Sequence, residues 1–421
     1  KAPYQMAQDT FSNIVQMAKQ MSSSSGTTIG LGLASKPISG VTQDAVWRAM
    51  LTVMRDPVSA GMKVDSVQAR QLITTQVRSF ASSSAKKHRV ALFGLGRAGQ
   101  YRIQSIQQLP GIELAWVHDP NEELAKQEAE RMHCKYTTNY EDTLADPDVD
   151  AVIVASPTDQ HFGQIMKSLE AGKPVFTEKP LGSNLSQIDQ SFAKAKEMGL
   201  PLFVGFNRRF DPSHRAVQQA VRAGQIGDPH MVKITSRDNP MPPPDFMKTS
   251  GGMFLDFVIH DFDMARFVTG KNPVQLFTFA SPMRPFIQGT GDVDNALVTM
   301  KYDCGCIVAI DASRGCTYGN DMRVQAFGDK GCMESEHRHA SNTLLSNEHG
   351  LLRPVIHWSF PQRYREAYMK EVEAFVGVLN GDPLPTSHDE IQASYKLCIL
   401  ADKSYRENRV IDVATEWDQI E

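Results

Sequence analysis

Two rhythms of apolar and polar positions divide the chain. Between residues 88 and 206, short unbroken apolar runs recur at 89–93, 113–117, 151–155, 174–177 and 202–206. Stretches with helical spacing separate them, at 98–108, 121–132, 160–171 and 185–198. An unbroken apolar run marks a strand buried on both faces. Strands that alternate with helices build a parallel sheet covered on both sides. The first rhythm therefore predicts an α/β domain with a parallel, doubly wound sheet over 86–208.

After residue 210 the rhythm changes. A helix is expected at 212–223, an extended run at 230–236 and a helix at 252–268. Strand-like runs at 274–280, 294–302, 305–313 and 322–327 are longer and alternate apolar with polar residues. Alternation is the mark of a strand with one solvated face. Helices return at 362–380 and 388–405. The prediction is an α+β domain over 209–421 with an open, mainly antiparallel sheet. Cys304 and Cys306 read as two positions on one face of such a strand.

Residues 1–85 follow neither rhythm. They hold eight Lys and Arg, four Asp and no Glu, a net +4 against −8 for the remainder. Serine runs at 22–25 and 82–84 flank three candidate helices at 5–20, 43–55 and 65–79. The acid-poor, basic composition is that of an organelle transit peptide, and 77–82 resembles a mitochondrial processing site. An ordered arm that docks on a protein partner is the rival reading. Mitochondrial matrix and cytoplasm both stay open as locations. The overall net charge of −4 argues against a nucleic-acid surface. No apolar run approaches the roughly 20 residues of a membrane span. Six scattered cysteines with no C-x-x-C pair read as free thiols in a reducing compartment.

The chemistry begins at Gly94-Leu95-Gly96-Arg97-Ala98-Gly99. This is G-x-G-x-x-G placed after a strand and opening a helix, the context of a dinucleotide-binding Rossmann fold. Gly94 permits the tight turn, Gly96 lets a pyrophosphate approach the backbone, and Gly99 lets helix and strand pack closely. Asp119, twenty residues after Gly99, sits where a carboxylate accepts from both ribose hydroxyls and repels a 2′-phosphate. NAD is expected over NADP, with Arg97 as a counterweight. Ser156 and Thr158 follow the third run, where a strand end faces the cofactor. His161 reads equally as a cofactor contact or as a satisfied structural histidine.

Two further segments carry the reaction. Thr177-Glu178-Lys179-Pro180 follows the fourth run. In the 252–268 helix, Asp256 and His260 are four residues apart and share a face, and Asp263 continues the stripe. Oxidising a secondary alcohol needs a proton acceptor, a group on the oxygen, and a hydride acceptor. His260 suits the base, Lys179 the oxygen, and Asp256 the orienting of substrate and imidazole. No metal is expected. His260 and its neighbour Asp261 diverge around the helix, and His337 and His339 make a second small cluster that the chemistry does not require.

Taken together, Gly94–Gly99, Glu178-Lys179-Pro180, 204–212, 236–238, 250–267, 291–295 and Tyr318-Gly319 resemble the Gfo/Idh/MocA oxidoreductases, and among them the inositol-2-dehydrogenase type. The resemblance covers about 88–415 and implies a Rossmann domain followed by a domain whose open sheet builds homodimers or homotetramers. It implies Lys179, Asp256 and His260 as the catalytic set, with Glu178 and Lys179 also at the cofactor. It also implies Arg209, Asp238 and Tyr318 around the substrate. The expected substrate is a cyclic polyol, myo-inositol going to 2-keto-inositol. A related sugar is the alternative, as is an enzyme-derived subunit of a larger assembly docked through 1–85. Residues 1–85 depart from the family pattern.

Overall fold

Strand β1 (His88–Phe93) lies near the centre of a six-stranded sheet, and its last four residues are buried. With β2 (Ile112–His118), β3 (Lys135–Thr137), β4 (Ala151–Val154), β5 (Val175–Glu178) and β6 (Leu202–Gly205) it forms the order β3-β2-β1-β4-β5-β6. All pairings are parallel. This is the strand order of a dinucleotide-binding doubly wound sheet, with its switch point between β1 and β4. The computed structural model describes residues 87–420. The candidate helices and the processing-site resemblance at 1–85 lie outside them.

Helices α1 (Arg97–Ile106), α2 (Glu122–Met132), α3 (Glu141–Leu144), α4 (Thr158–Glu170) and α5 (Leu185–Met198) connect these strands. Asn121 and Asn184 cap α2 and α5 by accepting from Leu124 N–H and Gln187 N–H, which satisfies orphan first-turn donors. Sequence reading missed β3 and α3. Neither exceeds four residues, too few for a period to show.

Beyond a 3₁₀ turn at Asn207–Phe210 come α6 (Pro212–Arg222) and β7 (Pro229–Arg237). A short α7 (Pro244–Thr249) leads to a π-helical turn at Phe254–Val258, which continues into α8 (Ile259–Thr269). Then follow β8 (Gln275–Ser281), β9 (Asn295–Lys301), β10 (Ile307–Ser313), β11 (Asp321–Gly328) and β12 (Gly331–Ser335), and a small hairpin of β13 (Leu345–Asn347) and β14 (Gly350–Leu352). Helices α9 (Phe360–Arg363), α10 (Arg365–Leu379) and α11 (His388–Glu407), strand β15 (Ile411–Asp412) and helix α12 (Val413–Glu416) close the chain.

The second sheet runs β12-β11-β7-β10-β9-β8-β15. Its β7–β10 pairing is parallel, so the sheet is mixed, though mostly antiparallel as expected. Val232, Ile234, Val298, Met300, Val308 and Ile310 fill its inner face and are buried. Each contributes on the order of 1.5–3 kcal/mol on leaving water. Met231, Phe279, Leu297, Ile307 and Phe327 alternate with them and stay exposed on the other face. Cys304 and Cys306 do not share a strand face. Gly305, at φ +87°, turns the chain between β9 and β10, which leaves Cys304 exposed and Cys306 buried.

Candidate active site

The glycine loop is shaped by contacts that only hydrogen allows. Gly94 has φ +88°, and a Cβ there would lie 2.6 Å from Ser156 Cα. At Gly99 a Cβ would lie 2.1 Å from Gly94 O. Gly96 is different, because a Cβ there would meet nothing within 4 Å. Two glycines thus serve packing, while the third leaves open space over the N-terminus of α1. Gly96 caps α1 and has no side chain with which to satisfy its first N–H groups. Free donors, a dipole's positive end and an open approach fit a pyrophosphate. Asp119 Oδ2 accepts from Leu95 N–H (3.0 Å) and Oδ1 from Asn121 N–H (3.0 Å). Its carboxylate is therefore fixed beside the loop, with lone pairs remaining on both oxygens. Arg97 turns towards the other half of the protein, its guanidinium 4.8 Å from the centre of the Phe360 ring.

At the end of β4, Ser156 Oγ donates to Gln164 Oε1 (2.7 Å), and Thr158 opens α4. His161 is buried, with Nδ1 2.8 Å from Pro180 O and Nε2 2.8 Å from Ser156 O. Both ring nitrogens of His161 lie against backbone carbonyls, and the neutral ring donates its single N–H to one of them, as a structural histidine does. It ties the Ser156 loop to the turn that carries Lys179. Glu178 likewise gives its carboxylate to a protein partner: Arg102 Nε donates to Oε1 at 2.7 Å.

Lys179 and Asp256 meet. Lys179 Nζ donates to Asp256 O at 2.6 Å and lies 3.7 Å from Asp256 Oδ1. Asp256 Oδ2 also accepts from Arg314 Nη2 (3.3 Å). Asp256 therefore holds Lys179 rather than His260, because two cations claim its carboxylate. His260, the second residue of α8, is partly buried and stands edge-on to Phe206 at 6.0 Å between ring centroids. Its Nδ1 is buried with no hydrogen-bond partner among the described residues. Burial, then Lys179 and Arg208, hold its pKa well below the ordinary histidine value. These influences hold the imidazole in its neutral form.

Asp263 does not extend the site. With Arg209 it forms a buried pair, Nε to Oδ2 at 2.8 Å and Nη2 to Oδ1 at 2.6 Å. Arg209 Nη1 also reaches Glu390 Oε1 (3.0 Å). Every nitrogen of Arg209 thus has a protein partner. Tyr318 is also committed elsewhere. Its hydroxyl donates to Asp321 Oδ2 (2.7 Å) and accepts from Arg237 Nη1 (3.1 Å). Asp238 is partly buried beside charged groups. It accepts from Asn320 Nδ2 (2.7 Å), lies near Arg208 and Arg97, and is pushed up to about 6 by burial.

Two arginines escaped the sequence reading. Arg208 Nη1 donates to Ser236 Oγ (2.8 Å) and Asp261 Oδ1 (2.5 Å), just where His260 feels its charge. Its 3₁₀ turn sends successive side chains about 120° apart, so Arg208 and Arg209 part company. Asp261 Oδ1 is taken up by this contact, whereas its Oδ2 is buried with no hydrogen-bond partner among the described residues. Arg314 is buried, with Nε and Nη1 lacking hydrogen bonds among the described residues. A lone arginine after a strand gives no sequence signal of such a role.

The sheet order and the glycine loop define a dinucleotide-binding protein whose second half is an open mixed sheet. Sequence models agree on both parts. One for an oxidoreductase family with an NAD-binding Rossmann fold matches residues 88–206, and one for the GFO/IDH/MocA C-terminal domain matches residues 214–334. The myo-inositol 2-dehydrogenase of Thermotoga maritima is 35% identical over 326 residues, covering 77% of this chain and 98% of the relative. A crystal structure of a myo-inositol dehydrogenase from Corynebacterium glutamicum aligns with TM-score 0.74 at 30% identity, over 77% of this chain and 98% of that one. Scyllo-inositol dehydrogenase from Lactobacillus casei, solved with bound NAD(H) and scyllo-inositol, aligns with TM-score 0.71 at 26% identity, over 78% of this chain and 100% of that one. The chain belongs to the Gfo/Idh/MocA oxidoreductase family and is an NAD-binding oxidoreductase.

Proposed function

We propose that the protein oxidises a ring hydroxyl of a cyclic polyol, with myo-inositol converted to 2-keto-inositol as the leading case. The observation that carries the reading is the pairing of Lys179, held by Asp256, with a neutral, partly buried His260. The names of the similar inositol dehydrogenases support the substrate class.

NAD, when bound, accepts the hydride from the carbinol carbon. The glycine loop, Gly94 to Gly99, holds its pyrophosphate at the N-terminus of α1, and Asp119 takes its ribose hydroxyls. Ser156 and Thr158 border the same strand-end crevice. Asp119 favours NAD over NADP, and Arg97, turned to Phe360, is not placed to reward a 2′-phosphate. His260 takes the hydroxyl proton. Lys179 donates a hydrogen bond to the reacting oxygen as its charge changes. Asp256 keeps Lys179 in place, and Asp238 accepts hydrogen bonds from ring hydroxyls. The open sheet face, with its alternating exposed apolar residues, is the surface for a homodimer or homotetramer.

The test is NAD reduction, followed by nicotinamide absorbance, across inositol isomers, aldoses and deoxy-sugars. Turnover is expected with inositols. Reduction with aldoses alone would reassign the substrate, and no reduction with any would overturn the reading.

A further inference from the structure

The turn that carries Lys179 is anchored from behind by a buried ion cluster. Arg102 is wholly buried on α1. Its Nε donates to Glu178 Oε1 at 2.7 Å, and its Nη2 reaches both Glu178 Oε1 (2.6 Å) and Glu371 Oε2 (2.7 Å). The guanidinium also lies over the rings of Phe176 at 4.3 Å and Tyr368 at 5.1 Å. Gly205 makes room, for a Cβ there would sit 3.3 Å from both Arg102 Nη2 and Glu178 Oε2. One side chain therefore joins the helix behind the dinucleotide loop, the residue preceding Lys179, and α10.

One guanidinium between two ionised carboxylates would leave a net negative charge in a dry site, an arrangement that costs more than it returns. A proton on one carboxyl removes that charge. Glu178 keeps 14% of its side chain exposed, whereas Glu371 has none. Glu371 Oε1 is also buried with no partner among the described residues, which suits a neutral carboxyl better than a carboxylate. We infer that Arg102 is a positioning residue for the Glu178–Lys179 turn, and that Glu371 completes the cluster as a protonated, neutral acid. The inference rests on Lys179 holding the reacting oxygen.

The groups facing Glu371 are Arg102 on α1, Glu178 on β5, and Tyr368 on its own helix. Burial, opposed by Arg102 and reinforced by Glu178, pushes Glu371 up to about 8. In the folded protein it keeps a proton that the unfolded chain releases near the ordinary glutamate value. Stability from this group is therefore full below that value and lost as pH rises through about 8.

Two variants of the full chain test this. The infrared difference between wild type and Glu371→Gln at neutral pH is expected to show the carbonyl stretch of a protonated carboxyl. Melting temperature in Glu371→Gln is expected to lose part of its decline towards alkaline pH. Carboxylate bands alone, or an unchanged alkaline decline, would overturn the protonated acid. Arg102→Lys keeps the charge but cannot span both carboxylates. It is expected to lower kcat about tenfold through misplacement of Lys179 while NAD affinity is kept. Wild-type kcat in that variant, or equal loss of NAD affinity, would overturn the positioning role. Should it fail to fold, the Glu371→Gln measurements decide. A protonated Glu371 together with full turnover in Lys179→Ala would instead fault the assignment of Lys179 and leave the cluster standing.

Discussion

The two halves of the molecule bury their sheets differently. In the first, β1, β4, β5 and β6 are covered on both faces, and their residues are nearly all buried. In the second, one face packs on helices and the other is exposed, so β9 reads buried and open by turns. The first half can offer ligands only its strand ends, and there it places the glycine loop, Asp119 and Lys179. The second has a whole face to spare and brings His260, the proposed proton acceptor, on a helix that packs on its inner side. The two halves meet where a strand end of one, at Lys179, contacts the π turn of the other, at Asp256, and there we place the proposed reaction.

The sharpest break in that comparison is at the meeting point. Lys179→Ala and His260→Ala should each lower kcat by about 10²–10⁴-fold. NAD affinity, read by titration, should stay near wild type, because neither residue holds the glycine loop. Breaking the second half's interior should cost stability instead. Arg209→Met strands Asp263 and should destabilise the fold by about 3–5 kcal/mol in denaturant melts, with KM for the polyol kept. A rise in KM without that loss would return Arg209 to the substrate pocket.

Within the first half, Gly99→Ala forces a Cβ to 2.1 Å from Gly94 O. NAD affinity should fall by at least ~10-fold, a loss of about 1.4 kcal/mol. The pH profile sharpens the contrast further. His260 is held below the ordinary histidine value by burial and two cations, so it stays unprotonated across neutral pH, as the proposed base must. The acid limb of kcat/KM should fall below pH 6.5, the ordinary value. A limb above it would mean that His260 is not the base. The smallest effect belongs to the open face. Phe279→Ser should change subunit stability by no more than about 0.5 kcal/mol. Its readout is assembly, a smaller particle by light scattering.

Much of this was legible in the sequence, and the reasons are physical. The runs at 89–93 and 151–155 carry no polar break because their strands meet no solvent. The glycine loop showed because its neighbours fixed its context, and the Asp256–His260 helix showed through its spacing. What stayed hidden depends on partners distant in sequence. Asp263 sits one turn past His260 and looked like part of the same stripe, yet Arg209 captures it. Arg102 carries no motif, and its role follows from Glu178 and Glu371, 76 and 269 residues away. The π turn at Phe254–Val258 leaves no compositional trace, although it sets where Asp256 points its carbonyl.

The most direct test is the rate of NAD reduction with myo-inositol by wild type and His260→Ala, after both are shown to bind NAD. Steady formation of reduced nicotinamide is expected from wild type and almost none from the variant. Comparable turnover by the two, or none by wild type, would contradict the proposal.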